Sequence, residues 1–326
     1  IYFGGGTPSL LTPLQISEIL EWLKNAFSIV PNAEISMEVN PGTTAIENLE
    51  KYYKAGINRL TIGVQSFNNG ELSTLTRIHD AEQAEKTILS AQQAGFTNIG
   101  IDLIFGIPGQ TIDSWKANLQ KACLLDLKHI SMYGLTYEQG TPLTIEFERG
   151  QVTKCLEETE REMFLLGISE LKKNGFEQYE ISNFARSGYQ SNHNQKYWDG
   201  SLFLGLGPSA HSFNGTNRWA NFSDFEKYQN FLSEKELPIE YTEDLTTEMK
   251  MEEAILLGLR QKTGIHLGQF NENFGCNLLE MQHEIEGKLG KIDLSSAPFS
   301  FSKQESLLCL WDGKFCLTQQ GLLLYD

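Results

Sequence analysis

The chain has no surplus of basic charge, few cysteines and no long apolar run, and each shortage removes a class of protein. Acidic residues outnumber Lys and Arg by 42 to 26, a formal charge of −16. No dense Lys/Arg stripe interrupts that surplus, and a protein that tracks phosphates carries the opposite balance, so nucleic-acid binding is excluded. No apolar stretch approaches the ~20 residues of a membrane span, which leaves only peripheral contact with a membrane. The five cysteines, Cys123, Cys155, Cys276, Cys309 and Cys316, are far apart and odd in number, which points to a reducing, cytoplasmic setting rather than a disulfide framework. The chain opens at Ile1 inside an apolar stretch, so its first residues say nothing about a signal peptide.

What is present is enough hydrophobic material, 40% of 326 residues, for one large α/β domain and a smaller one. The spacing predicts strands at Ile1–Phe3, Ile35–Val39, Arg59–Val64, Ile99–Phe105 and His129–Leu135. Between them it predicts helices at Pro13–Phe27, Ala45–Ala55, Ala81–Ala94 and Ser114–Leu125. That alternation is the signature of a parallel sheet. A long helix at Thr153–Asn174 and a strand at Gln178–Ile181 complete a barrel-like α/β body. From Ser182 to Ala220 the periodicity fades into Asn, Gly, His and aromatics, and a helix comes next near Asp224–Leu232. We place the domain boundary near residue 235, giving domains 1–235 and 236–326. The second is mostly helical from Thr246 and ends, over Leu307–Leu324, in two short strands and a helix, a winged-helix-like cap.

In a βα architecture the functional groups gather at the carboxyl ends of the strands, so the polar residues there are the ones to inspect. They are Gly4 to Thr7, Glu38, Gln65 and Asp102, each following an apolar run. Three successive glycines cost backbone entropy and suit a loop that a ligand approaches closely. Glu38 can bind both hydroxyls of a ribose or pair with a nearby base. Arg77 can grip a carboxylate bidentately or stand as a surface arginine.

Four segments then resemble one family in order and spacing: Ile1-Tyr-Phe-Gly-Gly-Gly-Thr-Pro-Ser9, Glu38-Val-Asn-Pro41, Arg59-Leu-Thr-Ile-Gly-Val-Gln-Ser-Phe67 and Ile101-Asp-Leu-Ile-Phe-Gly-Ile-Pro-Gly109. The family is the HemW and oxygen-independent coproporphyrinogen III oxidase-like group of the radical S-adenosylmethionine (SAM) superfamily. The resemblance implies a partial (β/α)6 TIM-type barrel that holds SAM and a [4Fe-4S] cluster, with a smaller C-terminal domain. It implies SAM contacts at Gly5, Gly6 and Thr7 for the methionyl end, Glu38 for the ribose, and Gln65, Arg77 and Asp102 elsewhere in the site. The family's Cys-x3-Cys-x2-Cys cluster motif precedes the glycine loop and is missing here, which reads as truncation before Ile1. Without those thiolates the polypeptide is not expected to cleave SAM.

Ser191-Asn-His193-Asn194-Gln-Lys-Tyr197-Trp198 matches the His-Asn-x-x-Tyr-Trp motif of the HemW-type branch. The resemblance implies haem contact there: a neutral imidazole is a common axial ligand, and Tyr and Trp offer flat apolar faces to a macrocycle. His211, in Gly205-Leu-Gly-Pro-Ser-Ala-His211, ranks as a second polar contact. His79, His129, His266 and His283 show no metal-site spacing and default to core or solvent roles. The leading expectation is a haem chaperone that passes haem to acceptor haemoproteins and works with an electron donor. The alternatives are a coproporphyrinogen III dehydrogenase, which decarboxylates porphyrinogen propionates by radical chemistry, and a cluster-less α/β binding protein.

Overall fold

The computed structural model describes residues 1–278, 280, 298–300 and 306–324. They belong to two compact units, Ile1–Gln190 and Ser191–Asp326.

The first unit is built on one seven-stranded sheet. Strands β1 (Tyr2–Phe3), β2 (Ser36–Val39), β3 (Arg59–Gln65), β4 (Ile99–Phe105) and β5 (His129–Gly134) lie side by side, all parallel. The far side is finished by a hairpin of β6 (Glu177–Gln178) and β7 (Asn183–Ala185), with β7 antiparallel to β5. The sheet is open, a partial barrel with β1 and β6 at its two ends.

Helices α1 (Pro13–Ala26), α2 (Ile46–Ala55), α4 (Ala81–Gln93), α5 (Ile112–Leu124) and α7 (Glu157–Lys173) occupy the expected connections, with the shorter α3 (Asn69–Thr74) and α6 (Pro142–Glu148) added between them. Their starts are written in the sequence: Thr12 with Gln15 and Asp80 with Gln83 form capping boxes on α1 and α4, and Thr111 caps α5. One expectation fails here. Residues 179–182, which the pattern assigns mainly to a sixth strand, form the turn of the β6–β7 hairpin. A four-residue turn can join only antiparallel strands, since a parallel return needs a crossover of about a dozen residues.

Side chains alternate across each strand, and the registers show that the alternation stays in phase from β1 to β7. Met37, Val39, Leu60, Ile62, Val64, Ile101, Leu103, Ile130 and Met132 share one face and are almost fully buried. That face lies under the helix layer, with α4 against β3 and β4, α7 against β4 and β5, and α5 against α7. The opposite face carries Tyr2, Ser36, Glu38, Arg59, Thr61, Asp102, His129, Ser131, Tyr133 and Asn183. One sheet thus separates an apolar core from a polar face that is itself largely buried.

In the second unit, β8 (His211–Phe213), β9 (Asn217–Asn221) and β10 (Ile239–Asp244) form an antiparallel sheet, with α8 (Asn192–Trp198) before it in sequence and α9 (Phe225–Ser233) between β9 and β10. The sequence pattern puts a boundary near 235, inside this unit. Residues 191–235 instead group with the C-terminal residues, because β9 pairs with β10. Helices α10 (Thr247–Arg260) and α11 (Leu267–Phe274) bear out the helical reading after Thr246, which otherwise falls partly on residues 279 and 281–297, outside the described residues. The two terminal strands are β12 (Leu308–Trp311) and β13 (Lys314–Leu317), turning at Asp312-Gly313 with both φ positive, and α12 (Gln319–Leu322) comes after them. A third strand, β11 (Ile265–His266), joins them on β13.

Trp115 on α5 is fully buried and donates its indole N–H to the Met163 carbonyl of α7 at 2.8 Å. Trp115→Ala removes that bond and leaves a large cavity. We expect a loss of about 3–5 kcal/mol, read as a lowered urea midpoint.

Candidate functional site

The glycine loop leaves β1 at Gly4, and its three glycines serve two ends. A β-carbon on Gly4 would lie 2.3 Å from the Tyr2 ring, so Gly4 is needed for close packing. Gly5 and Gly6 have φ of +72° and +52°, with nothing within 4 Å of where a β-carbon would stand. They form an exposed, left-handed backbone loop open to a ligand.

Glu38 and Asp102 are expected at the carboxyl ends of their strands; Glu38 is next to the last residue of β2, and Asp102 is at the middle of β4. They lie within β2 and β4, on the polar face, with β3 between them. The Tyr2 hydroxyl donates to Glu38 Oε1 at 2.5 Å. Burial, and then the neighbouring Glu38 carboxylate, hold the Tyr2 proton far above its usual range, so Tyr2 remains a donor. Asp102 is pushed up to about 6, chiefly by burial; Ser131, which hydrogen-bonds to it, pulls the other way, and Glu38 adds to the rise. Arg77 stands just after α3, exposed, within electrostatic reach of Asp102.

Gln65 ends β3 with φ +66°, a left-handed conformation that is unusual for a residue with a side chain. Its amide crosses over Gly63, where a β-carbon would meet both Gln65 Nε2 and Asn40 Oδ1 at 3.0 Å. The structure therefore gathers Glu38, Gln65 and Asp102 on adjacent strands β2, β3 and β4. Sequence reasoning alone passes over Tyr2, Ser131 and Asn40. The signal that would have found Tyr2 and Ser131 is their period of two with Ser36–Glu38 and His129–Tyr133, since parallel strands covered on both faces are normally apolar throughout.

The histidines outside the motif have structural partners. His129 is buried, with Nε2 2.8 Å from the Tyr179 hydroxyl; His79 Nε2 meets the Val64 carbonyl at 3.1 Å; His266 caps α11. His283 lies outside the described residues.

In the second unit, Ser191 caps α8 by accepting from the Asn194 N–H at 3.3 Å. His193 and Tyr197, four residues apart, share a helix face with their rings edge-to-face at 4.9 Å, and Tyr197 continues onto Phe203 at 4.8 Å. Burial lowers the His193 imidazole to about 4, and Lys196 adds to the effect. It is neutral at ordinary pH. Trp198 points elsewhere on the helix: the Arg260 guanidinium lies 4.7 Å from its ring centroid, and its carbonyl accepts from Gln261 Nε2 at 3.0 Å. Asn194 lies on the Trp198 side of the helix, four residues before it. His211 on β8 is exposed and faces Tyr241, whose hydroxyl is 3.5 Å from Nδ1.

Two groups can be tested against these residues. The open left-handed loop at Gly5 and Gly6, with carboxylates on the adjoining strands, fits SAM. For an iron-sulfur cluster, the described residues bring no three His, Cys, Asp or Glu side chains together. None of the five cysteines is in a disulfide; Cys309 and Cys316 face each other on β12 and β13, in the second unit.

Fold and glycine loop together define an α/β protein of radical SAM type. The Radical SAM superfamily model matches residues 1–122. Over 99% of this chain and 75% of the other, the fold superposes on Escherichia coli coproporphyrinogen III oxidase (HemN), a radical SAM enzyme, with a TM-score of 0.81 at 22% identity. Sequence likeness is greater to Heme chaperone HemW of Bacillus subtilis, 34% identical over 85% of this chain and 74% of that protein. Heme chaperone HemW of Lactococcus lactis is 33% identical over 87% of this chain and 74% of its own length. The chain belongs to the HemW haem chaperone family of radical SAM proteins.

Asp102 gives the site a pH signature. Its folded-state value of about 6 lies above the ordinary 3.8, so Asp102 favours folding below about pH 4 and opposes it above about pH 6. Asp102→Asn removes the cost of a buried charge. We expect a gain on the order of 2 kcal/mol above about pH 6 that disappears by about pH 4, measured as urea midpoints across that range.

Proposed function

We propose that this protein is a haem chaperone: it binds haem through the second unit and delivers it to acceptor haemoproteins in the cytoplasm. The first unit binds SAM. The observation that supports this best is α8, where a neutral His193 stands beside the flat ring of Tyr197 inside the His-Asn-x-x-Tyr-Trp motif. An imidazole without a proton on one nitrogen can ligate haem iron, and an aromatic edge beside it supports a macrocycle. Trp198 stabilises the helix under Arg260, and Ser191 caps its first turn through the Asn194 N–H.

On the first unit, Gly5, Gly6 and Thr7 would hold the methionyl end of SAM and Glu38 the ribose, with Tyr2 fixing the carboxylate. Gln65, Arg77 and Asp102 complete the surroundings. SAM bound to a reduced [4Fe-4S] cluster supplies radical or electron-transfer chemistry; such a cluster, and an electron donor for it, come from outside the described residues. The residues here bind, orient and neutralise charge.

The test is a haem titration of the anaerobically reconstituted protein, monitored by Soret absorbance, with a parallel assay for coproporphyrinogen conversion. Stoichiometric haem binding without conversion is the expected result; conversion dependent on SAM would replace this reading with a dehydrogenase. His193→Ala is expected to weaken haem binding at least about tenfold and alter the Soret band. Because His193 protonates only near pH 4, haem affinity of the unaltered protein should stay flat from about pH 5.5 to 8; a fall around pH 6.5 would show an ordinary histidine as ligand. Glu38→Gln should lower SAM affinity in calorimetry, and equal affinity would remove Glu38 from the ribose site.

A further inference from the structure

Gln65 holds a conformation that costs free energy, and something must keep it there. The Ser66 N–H bonds back to the Val64 carbonyl at 2.8 Å, so Gln65 is the centre of a three-residue turn with φ +66°. Such γ-turns with a left-handed centre are rare and strained. The turn coincides with a register shift: three steps along β3, from Ile62 to Gln65, match two along β4, from Ile101 to Leu103. The extra residue re-aims the strand end. Strained backbone of this kind persists only where its surroundings over-determine it.

The surroundings converge on one buried carboxylate that the SAM reading does not use. Glu71, on α3, is 6% exposed. It accepts from Ser66 Oγ at 2.6 Å, Asn118 Nδ2 at 2.9 Å, Gln110 Nε2 at 3.0 Å and, at short range, Ser114 Oγ. The partners extend the network. Asn118 Oδ1 accepts from the Phe67 N–H at 2.6 Å, Ser66 Oγ accepts from the Asn68 N–H at 2.9 Å, and Gln110 Oε1 accepts from the Gly106 N–H at 2.9 Å. One carboxylate therefore ties the turn after β3 to the loop after β4 and to α5.

We propose that Glu71 is the positioning residue of this site: it holds the strained turn at Gln65 and the 106–110 loop, and so aims the Gln65 amide onto the polar face beside Asn40. All four donors to it are neutral, so its role is that of a multiple acceptor rather than an ion-pair partner. The consequence for ligand binding rests on the SAM reading above; the consequence for loop order does not.

The experiment compares the reconstituted protein with E71A, E71Q and Q65G by hydrogen exchange, thermal melting and SAM calorimetry. E71A should speed exchange in peptides covering 65–69 and 105–111 by about tenfold or more, leave the central strands unchanged, and weaken SAM binding by a similar factor. E71Q should restore both to within about threefold, because the Gln oxygen can keep three donors while the Ser114 hydroxyl turns round to accept from the new NH2. Q65G should raise the melting midpoint by about 2 °C while weakening SAM binding, since glycine adopts this φ without strain. Unchanged exchange in the two loops of E71A, no rescue by E71Q, or a lowered midpoint in Q65G would overturn the proposal. Should E71A not fold, Ser66→Ala cuts the link nearest the turn, and the same exchange pattern decides. Absence of SAM binding in the unaltered protein would sink the SAM reading alone, because loop exchange still judges Glu71.

Discussion

Everything in the first unit depends on one sheet carrying opposite chemistry on its two faces. A parallel sheet usually buries both faces in hydrocarbon, and its strands are then apolar end to end. Here β2 to β5 alternate, so Met37, Leu60, Ile101 and Ile130 bind the helices while Glu38, Thr61, Asp102 and Ser131 face the other way. A shift of one residue in β2 or β4 would put a carboxylate under the helices and an apolar side chain on the polar side. The hydrophobic core thus also sets the register of the site, and the two cannot be separated.

The repeating strand–helix order was legible because its signals are local: period, caps and apolar runs. The glycine loop was legible for a similar reason, since three successive glycines have few other uses. What escaped were features made by pairing rather than by order. The β6–β7 hairpin looks like one strand because Gln178 to Ile181 has strand composition, and only the partner Asn183–Ala185 shows where the chain turns. The short helices α3, α6 and α8 run six or seven residues, too few for a helical period to stand out. Tyr2 was passed over because its partner Glu38 lies 36 residues away.

The second unit shows the difference between a motif and a surface. His193, Asn194, Tyr197 and Trp198 read as one set, yet on seven residues of helix they divide between two faces. One carries the ring chain from His193 through Tyr197 to Phe203, and the other anchors the helix through Trp198 against Arg260. Trp198 and Arg260 then brace the helix that carries the ring chain.

Arg59 has a consequence for the order in which this protein is made. Its guanidinium is buried at the start of β3, and Nη1 donates to the Tyr189 carbonyl at 3.0 Å, 130 residues further along the chain, with Asn98 and Glu34 nearby. A buried cation missing a partner is strongly unfavourable, and contacts between distant residues form slowly. During synthesis Glu34 and Asn98 reach Arg59 first, and its contact with the Tyr189 carbonyl can form only after residue 189 has emerged. At ordinary rates of elongation that interval lasts several seconds, during which the apolar sides of β2 to β4 depend on early helix docking for protection.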